Sequence, residues 1–315
     1  MSWVKLIRAD FGADLALKTQ YNFKEKLIGY LTLVKPPFVL MTPLNAASAA
    51  VLSIGGYPSW KICLGGFLTA FLASAGVNIY NRYADKKRDA VEWPCRAIPS
   101  GRVKANHVLI LILLLVAVSL VLGWYYFNPI TFWILLAGIV LGSLYSAVLR
   151  DKIGYLSLPP IEGLIFLAGW AALSPDTIFS LTPWVLYLMG LTWQAAHIMG
   201  HYLVHVRYDE QGKPLIKTPA FFFKPHPRVA ALIALVFMSL CFLLSIGLIF
   251  LTQLQALYIV LIGCAGFYAL MRTWMLVKDS TNLDKLHKAW SSLTLYRMVC
   301  SVAILGDVFI FNLIK

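Results

Sequence analysis

Residues 107–149 read HVLILILLLVAVSLVLGWYYFNPITFWILLAGIVLGSLYSAVL, without one Asp, Glu, Lys or Arg. A bilayer-spanning helix needs about 20 apolar residues, so this stretch holds two. They divide at Asn128-Pro129, where turn chemistry ends one helix and starts the next. Outward from it, comparable apolar runs cover 33–54, 62–83, 153–174, 182–204, 229–252, 255–277 and 290–313. Together with 107–127 and 129–149 they predict an all-α integral membrane protein, a bundle of nine transmembrane helices. Gly55-Gly56-Tyr57-Pro58, Ser174-Pro175-Asp176 and Pro225-His226-Pro227 mark further joints. The first run is interrupted by Pro36 and Pro37, and the fifth holds Pro159, Pro160 and Glu162. Broken backbone at membrane depth is tolerated where protein or a cavity satisfies it.

Composition agrees. Of 315 residues, 60% are hydrophobic and 13% charged, against roughly 25% charged in soluble domains. Mean hydropathy is +0.75. These values exclude a soluble globular domain, a disordered tail and a small disulfide scaffold. Five cysteines (Cys63, Cys95, Cys241, Cys264 and Cys300) show no metal-binding spacing and read as small apolar residues. Residues 1–27 mix both charges with short apolar runs and predict an amphipathic, surface-lying lead-in, not a cleavable signal peptide; the bundle is expected over 28–315.

The net charge of +13 suggests nucleic acid only if the basic residues are scattered. Nine crossings instead place 23 Lys and Arg on the N-terminal face, leaving Lys61 and Lys315 opposite and Lys35 and Arg297 within spans. Such asymmetry predicts a cytoplasmic N-terminus, a C-terminus on the other side, and no nucleic-acid partner.

The second run ends Asn81-Arg82-Tyr83-Ala84-Asp85-Lys86-Lys87-Arg88-Asp89. Each four-residue step rotates a helix by only about 40°, so Asn81, Asp85 and Asp89 make one stripe of oxygen donors. Hard cations such as Mg²⁺ bind through one or two carboxylates plus substrate phosphates. The alternative is a solvated helix end on which Asp85 and Asp89 pair with Lys86, Lys87 and Arg88. Arg96-Ala97-Ile98-Pro99-Ser100-Gly101-Arg102 follows, and the fourth run leaves the membrane through Arg150-Asp151-Lys152. In the sixth run His197, His201, His205 and Asp209 form a second four-residue ladder after Trp193-Gln194. Ionisable groups within a span are costly and point to function. The second, fourth and sixth runs exit on one face, so their polar ends converge on the cytoplasmic side.

These residues resemble a known family. Asn81-xxx-Asp85-xxx-Asp89 with Arg96-xx-Pro99-Ser100-Gly101 is similar to the first aspartate-rich signature of the UbiA-type intramembrane prenyltransferases. Leu144-Tyr145-Ser146-xx-Leu149-Arg150 with Gly169-Trp170 resembles the basic element after that family's fourth helix. Trp193-Gln194-xx-His197 looks like the sixth-helix phrase of the haem O synthase branch. The resemblance implies a helix bundle around a cytoplasm-facing cavity, Mg²⁺ as cofactor, and an isoprenyl diphosphate ionised to alkylate a lipid-soluble acceptor (aromatic, quinone-precursor, haem or glyceryl lipid). It implies Asn81, Asp85, Asp89 and Asp209 as metal ligands. Arg96, Arg150 and Lys152, with Lys35 beside them, would neutralise the diphosphate. The second motif of the family is altered: only Asp209 stands where two aspartates are expected, with His205 and His201 upstream. Histidine there suits a general base or, with His197, a substrate-binding role. A terpene cyclase acting on the diphosphate alone is the nearest alternative; a His-ligated metal oxidase and a non-catalytic lipid-binding protein are more remote. Arg297 is expected to face the cavity, Glu162 to line the pocket or bond freed backbone, and Asp307 to be solvated near the far interface.

Overall fold

The structure is a computed structural model that describes residues 20–35, 39–154, 157–205 and 226–314, without the side chains of Asp151, Val204 and His205. Every regular element among them is helical. In chain order these are α1 (Phe23–Val34), α2 (Met41–Ile54), α3 (Trp60–Ala84), α4 (Lys86–Glu92), α5 (Ala105–Tyr126) and α6 (Pro129–Leu144). There follow α7 (Pro159–Leu173), α8 (Leu181–His205), α9 (Pro227–Leu251), α10 (Ala256–Lys278) and α11 (Leu283–Ile314). Six of the helical segments are long and apolar enough to cross a membrane: α3, α5, α6 with its extension to Leu149, α9, α10 and α11. Met41–Ile54 and Pro159–Leu173 are apolar but shorter. The chain is therefore a multi-pass integral membrane protein.

Large apolar side chains point outward along these helices, among them Leu113 at 62%, Trp133 at 63% and Phe267 at 69% exposure. In water they would be a liability; in lipid they face a solvent as apolar as themselves. Lipid supplies no hydrophobic drive between helices, so close backbone approach must hold the bundle together. At Gly169 on α7 an added Cβ would overlap the Ala46 carbonyl of α2. Backbone on both sides leaves no side chain to yield. Gly169→Ala is expected to separate α2 from α7 and cost about 1–3 kcal/mol. Thermal unfolding in detergent checks this, and an unchanged midpoint would refute the contact.

The prolines act differently from a mid-span break. Pro159 and Pro160 open α7, where a missing N–H costs nothing because the first helical donors lack partners anyway. The first predicted span is two helices, α1 and α2, separated at Lys35, whose φ of 51° ends α1 in the left-handed region. Pro36, Pro37 and Phe38 lie outside the described residues. Asn22 and Glu25 form a reciprocal capping box at the start of α1 (2.9 and 3.0 Å). That helix thus begins ahead of residue 28 and overlaps the amphipathic lead-in.

The largest core joins α2, α7, α8, α9, α10 and α11. A separate cluster packs Leu33 of α1 and Ile79 of α3 against Ala97, Val103, Val108 and Ile112. The loop between α4 and α5 is thereby docked on the bundle rather than left in solvent. Asp307 corrects the expectation of a solvated group: it is 3% exposed. Its carboxylate accepts from the backbone N–H groups of Gln255 (2.6 Å) and Tyr258 (3.0 Å), capping α10.

Candidate active site

The backbone explains why the acidic stripe survives a helix boundary. α3 ends at Ala84 and α4 starts at Lys86, yet the N–H of Asp85 donates to Asn81 O at 3.0 Å and that of Asp89 to Asp85 O at 2.8 Å. The four-residue register continues through the joint, so Asn81, Asp85 and Asp89 share one face. That face points inward: Asp85 is 5% and Asp89 1% exposed. Burial removes the reading of a solvated helix end, although one of its partners is correct.

Each carboxylate is held by guanidinium groups. Arg150 grips Asp85 bidentately, Nη1 donating to Oδ2 at 2.9 Å and Nη2 to Oδ1. Arg88, one turn along, lies 2.8 Å from Asp85 Oδ2. Arg96 Nη1 donates to Asp89 Oδ1 at 2.6 Å, and Arg82 stands 3.9 Å from Oδ2. Lys86 instead sits over the Tyr83 ring at 3.6 Å. Burial pushes the Asp89 carboxyl above its ordinary value, against the pull of Arg96 and Arg82. Lys35 lies within Coulombic range of Arg82, Arg96, Asp85 and Asp89. Lys152, by contrast, is exposed.

Local structure aims the basic groups. The last turn of α6 widens into a π-helical turn, Tyr145–Leu149, immediately before Arg150; such turns re-aim side chains and recur at functional sites. Ser146 in that turn accepts from Asn81 Nδ2 at 3.2 Å and donates to Gly142 O at 3.1 Å. Arg96 stacks over Trp93 at 4.8 Å. Its loop is braced from within by Arg102, 1% exposed, which donates to Ser100 Oγ (3.2 Å) and Cys95 O (2.8 Å). Sequence reasoning did not single out Arg82 or Arg102. Arg82 follows Asn81, and its i,i+7 spacing from Asp89 puts both on one face; Arg102 carries no such signal.

Four guanidiniums thus surround two carboxylates, a local excess of positive charge. The buried Nε–H of Arg96 has no hydrogen-bond partner among the described residues, whereas Arg88 Nε faces Glu92 Oε2 at 3.8 Å. A buried donor without an acceptor is costly, and Arg96 Nε is disposed to meet an anion. The oxygen donors of Asn81, Asp85 and Asp89 fit a hard divalent cation; no group of three or more His, Cys, Asp or Glu is assembled for a metal among the described residues.

Deeper in the bundle lies a second polar cluster. Arg297 on α11 pairs with Glu162 on α7, and its guanidinium carbon lies 4.4 Å from the Trp193 ring centre. With its amide turned so that oxygen faces donors, Asn45 accepts from Arg297 Nε at 2.7 Å. His197 stacks on Trp193 with centroids 4.7 Å apart and accepts from Trp290 Nε1 at 3.1 Å. His201 meets the edge of Trp290 at 5.9 Å. A small cavity adjoins this cluster, lined by Phe166, Met189, Gly190, Trp193, Cys241, Tyr296, Arg297 and Cys300. The side chain of His205 and the whole of Asp209 lie outside the described residues.

Comparison with known proteins bears on the family and the fold. The sequence model of the UbiA prenyltransferase family matches residues 40–294. The protoheme IX farnesyltransferase of Microcystis aeruginosa is 27% identical over 303 residues, 93% of this chain and 92% of the relative. The digeranylgeranylglyceryl phosphate synthase of Methanosarcina mazei is 30% identical over 226 residues, 70% of this chain and 76% of its own. Among solved structures, a UbiA homologue from Archaeoglobus fulgidus bound to DMAPP and Mg²⁺ superposes with a TM-score of 0.61 at 18% identity, covering 88% of this chain and 99% of that one. Resemblance in the motif, the fold and the relatives meets at one conclusion: the chain belongs to the UbiA prenyltransferase family.

Proposed function

We propose that the protein ionises an isoprenyl diphosphate with Mg²⁺ and transfers the prenyl group to a lipid-soluble acceptor. The observation that carries this reading is the pairing of the buried carboxylate stripe with Arg150 and Arg96. The metal, when bound, would neutralise phosphate oxygens and favour loss of diphosphate. Asn81, Asp85 and Asp89 would hold it, with Asp209 as a further ligand. Arg96 and Arg150 would hydrogen-bond the diphosphate oxygens and so stabilise the charge that develops on the leaving group. Lys35 adds positive charge from the end of α1, and Lys152 from the solvent side. Aromatic rings of the bundle would shield the allylic cation from water.

In this reading the chain crosses the membrane nine times, the six long segments being joined by α2, by α7 and by α8. The diphosphate mouth lies at the cytoplasmic end, with the basic segments around Arg96 and Arg150. α1 extends the amphipathic lead-in along the surface: Phe23, Leu27 and Leu31 are 81%, 48% and 56% exposed along one side.

The test is to incubate purified protein with geranyl diphosphate and Mg²⁺, with and without a lipid-soluble phenol. Prenylated phenol that needs both Mg²⁺ and the acceptor is expected. Terpene hydrocarbon formed without acceptor would replace transfer by cyclisation. Absence of any Mg²⁺-dependent turnover or binding would refute both.

A further inference from the structure

We infer that Ser146 is a positioning residue for the metal site: its hydroxyl holds the NH₂ of Asn81 and so leaves the carbonyl oxygen of that amide as the ligand. This inference rests on the proposed Mg²⁺-dependent ionisation and deepens it, accounting for how an uncharged amide serves beside two carboxylates.

α3 and α6, with the π-helical turn that ends α6, meet in matched four-residue steps. Gly142 lies against Val77, where an added Cβ would come within 2.8 Å of Val77 Cγ1. One turn on, Ser146 meets Asn81; one turn beyond that, Arg150 meets Asp85. The two polar pairs share an offset of 65 residues, and Val77 with Gly142 continues the same series. The missing side chain at Gly142 lets the two helices close until an arm as short as that of serine reaches Asn81.

The proton inventory fixes which end of the amide is held. A hydroxyl has one proton and two lone pairs. Ser146 gives its proton to Gly142 O at 3.1 Å, four residues back, a common back-bond of helical serine. What it presents to Asn81 is therefore a lone pair, which accepts only from an N–H. The group at 3.2 Å is accordingly Nδ2; with the amide reversed, two acceptors would face each other. Ser146 is 4% exposed, so bulk water does not compete for that lone pair. Asn81 Oδ1 meets no hydrogen-bond donor among the described residues.

Asp85 and Asp89 need no such help. Both oxygens of a carboxylate are acceptors, whereas an amide has one acceptor end and one donor end, and the donor end repels a cation. Hydrogen bonds that orient a ligand change metal affinity by about 10–100-fold. The same turn carries Arg150, whose backbone N–H donates to Tyr145 O, five residues back. One short segment thus orients a metal ligand through Ser146 and grips Asp85 through Arg150.

The experiment measures Mn²⁺ binding to full-length protein in detergent with equimolar geranyl S-thiolodiphosphate, a slow-reacting analogue. The EPR signal of the free ion is read against a protein-free control. Ser146→Ala should weaken Mn²⁺ binding about tenfold, and Ser146→Thr, which keeps the hydroxyl, should recover most of the loss. Ser146→Cys, close in size but a weaker acceptor, should lose an intermediate amount and carries the test if the alanine variant does not fold. In an Asn81→Asp background the alanine change should alter affinity by less than about twofold, because a carboxylate has no wrong end. Unchanged affinity in the alanine and cysteine variants, or an equal loss in the Asn81→Asp background, overturns the inference. Failure of the wild type to bind Mn²⁺ beyond the control would instead strike the underlying reading, and this inference with it.

Discussion

Asp85→Asn is expected to lower Mg²⁺-dependent prenyl transfer by on the order of 10²–10³-fold while leaving a folded bundle. Asparagine keeps the size of the side chain and one oxygen for Arg150 and Arg88, but loses the charge needed for a divalent ion. Asp85→Ala is a poorer probe. It withdraws the carboxylate that binds two guanidiniums, one of them bidentately inside the protein. Breaking a buried pair from one side costs about 3–5 kcal/mol, so lost activity and lost folding would coincide. Activity with geranyl diphosphate, measured beside the thermal midpoint of each variant, separates the effects. Full activity in Asp85→Asn would remove Asp85 from the proposed metal site.

Arg297→Met should be the most destabilising single change in the deeper cluster, by about 3–5 kcal/mol. It takes from Glu162 its charge partner and from Trp193 its cation. Combining it with Glu162→Leu should restore most of the stability, because a buried pair replaced by apolar residues of similar size is often neutral. Differential scanning of the single and double variants checks this. A double variant as unstable as Arg297→Met alone would show that packing, not charge, sets the cost.

Local patterns and distant pairings were unequally legible. The long apolar segments follow from runs of residues that lipid can solvate, and the stripe of Asn81, Asp85 and Asp89 follows from helical pitch alone. Which cation meets which carboxylate does not. Asp85 takes one partner from its own helix face, Arg88, and another from sequence far away, Arg150. Glu162 and Arg297 stand apart as isolated intramembrane charges until α7 and α11 are packed. Asp307 looked like an interfacial carboxylate because nothing nearby in sequence announces that the start of α10 will need an acceptor. Trp290 was equally silent: only its contact with His197 decides which imidazole nitrogen carries the proton. Such facts belong to tertiary packing, where the order of residues along the chain gives no distance.

The capping of α10 by Asp307 bears on the order in which the bundle can be completed during synthesis. Asn312, further along α11, donates to Gly55 O at 3.1 Å, and the Tyr57 hydroxyl donates to Leu305 O. The end of α11 therefore fastens both the turn after α2 and the start of α10. Until that segment emerges and inserts, the first N–H groups of α10 lack their acceptor, and α2 has no helix to close against on that side. Closure of the bundle at that end must wait for α11, which makes its far end the latch on helices that are already in the membrane.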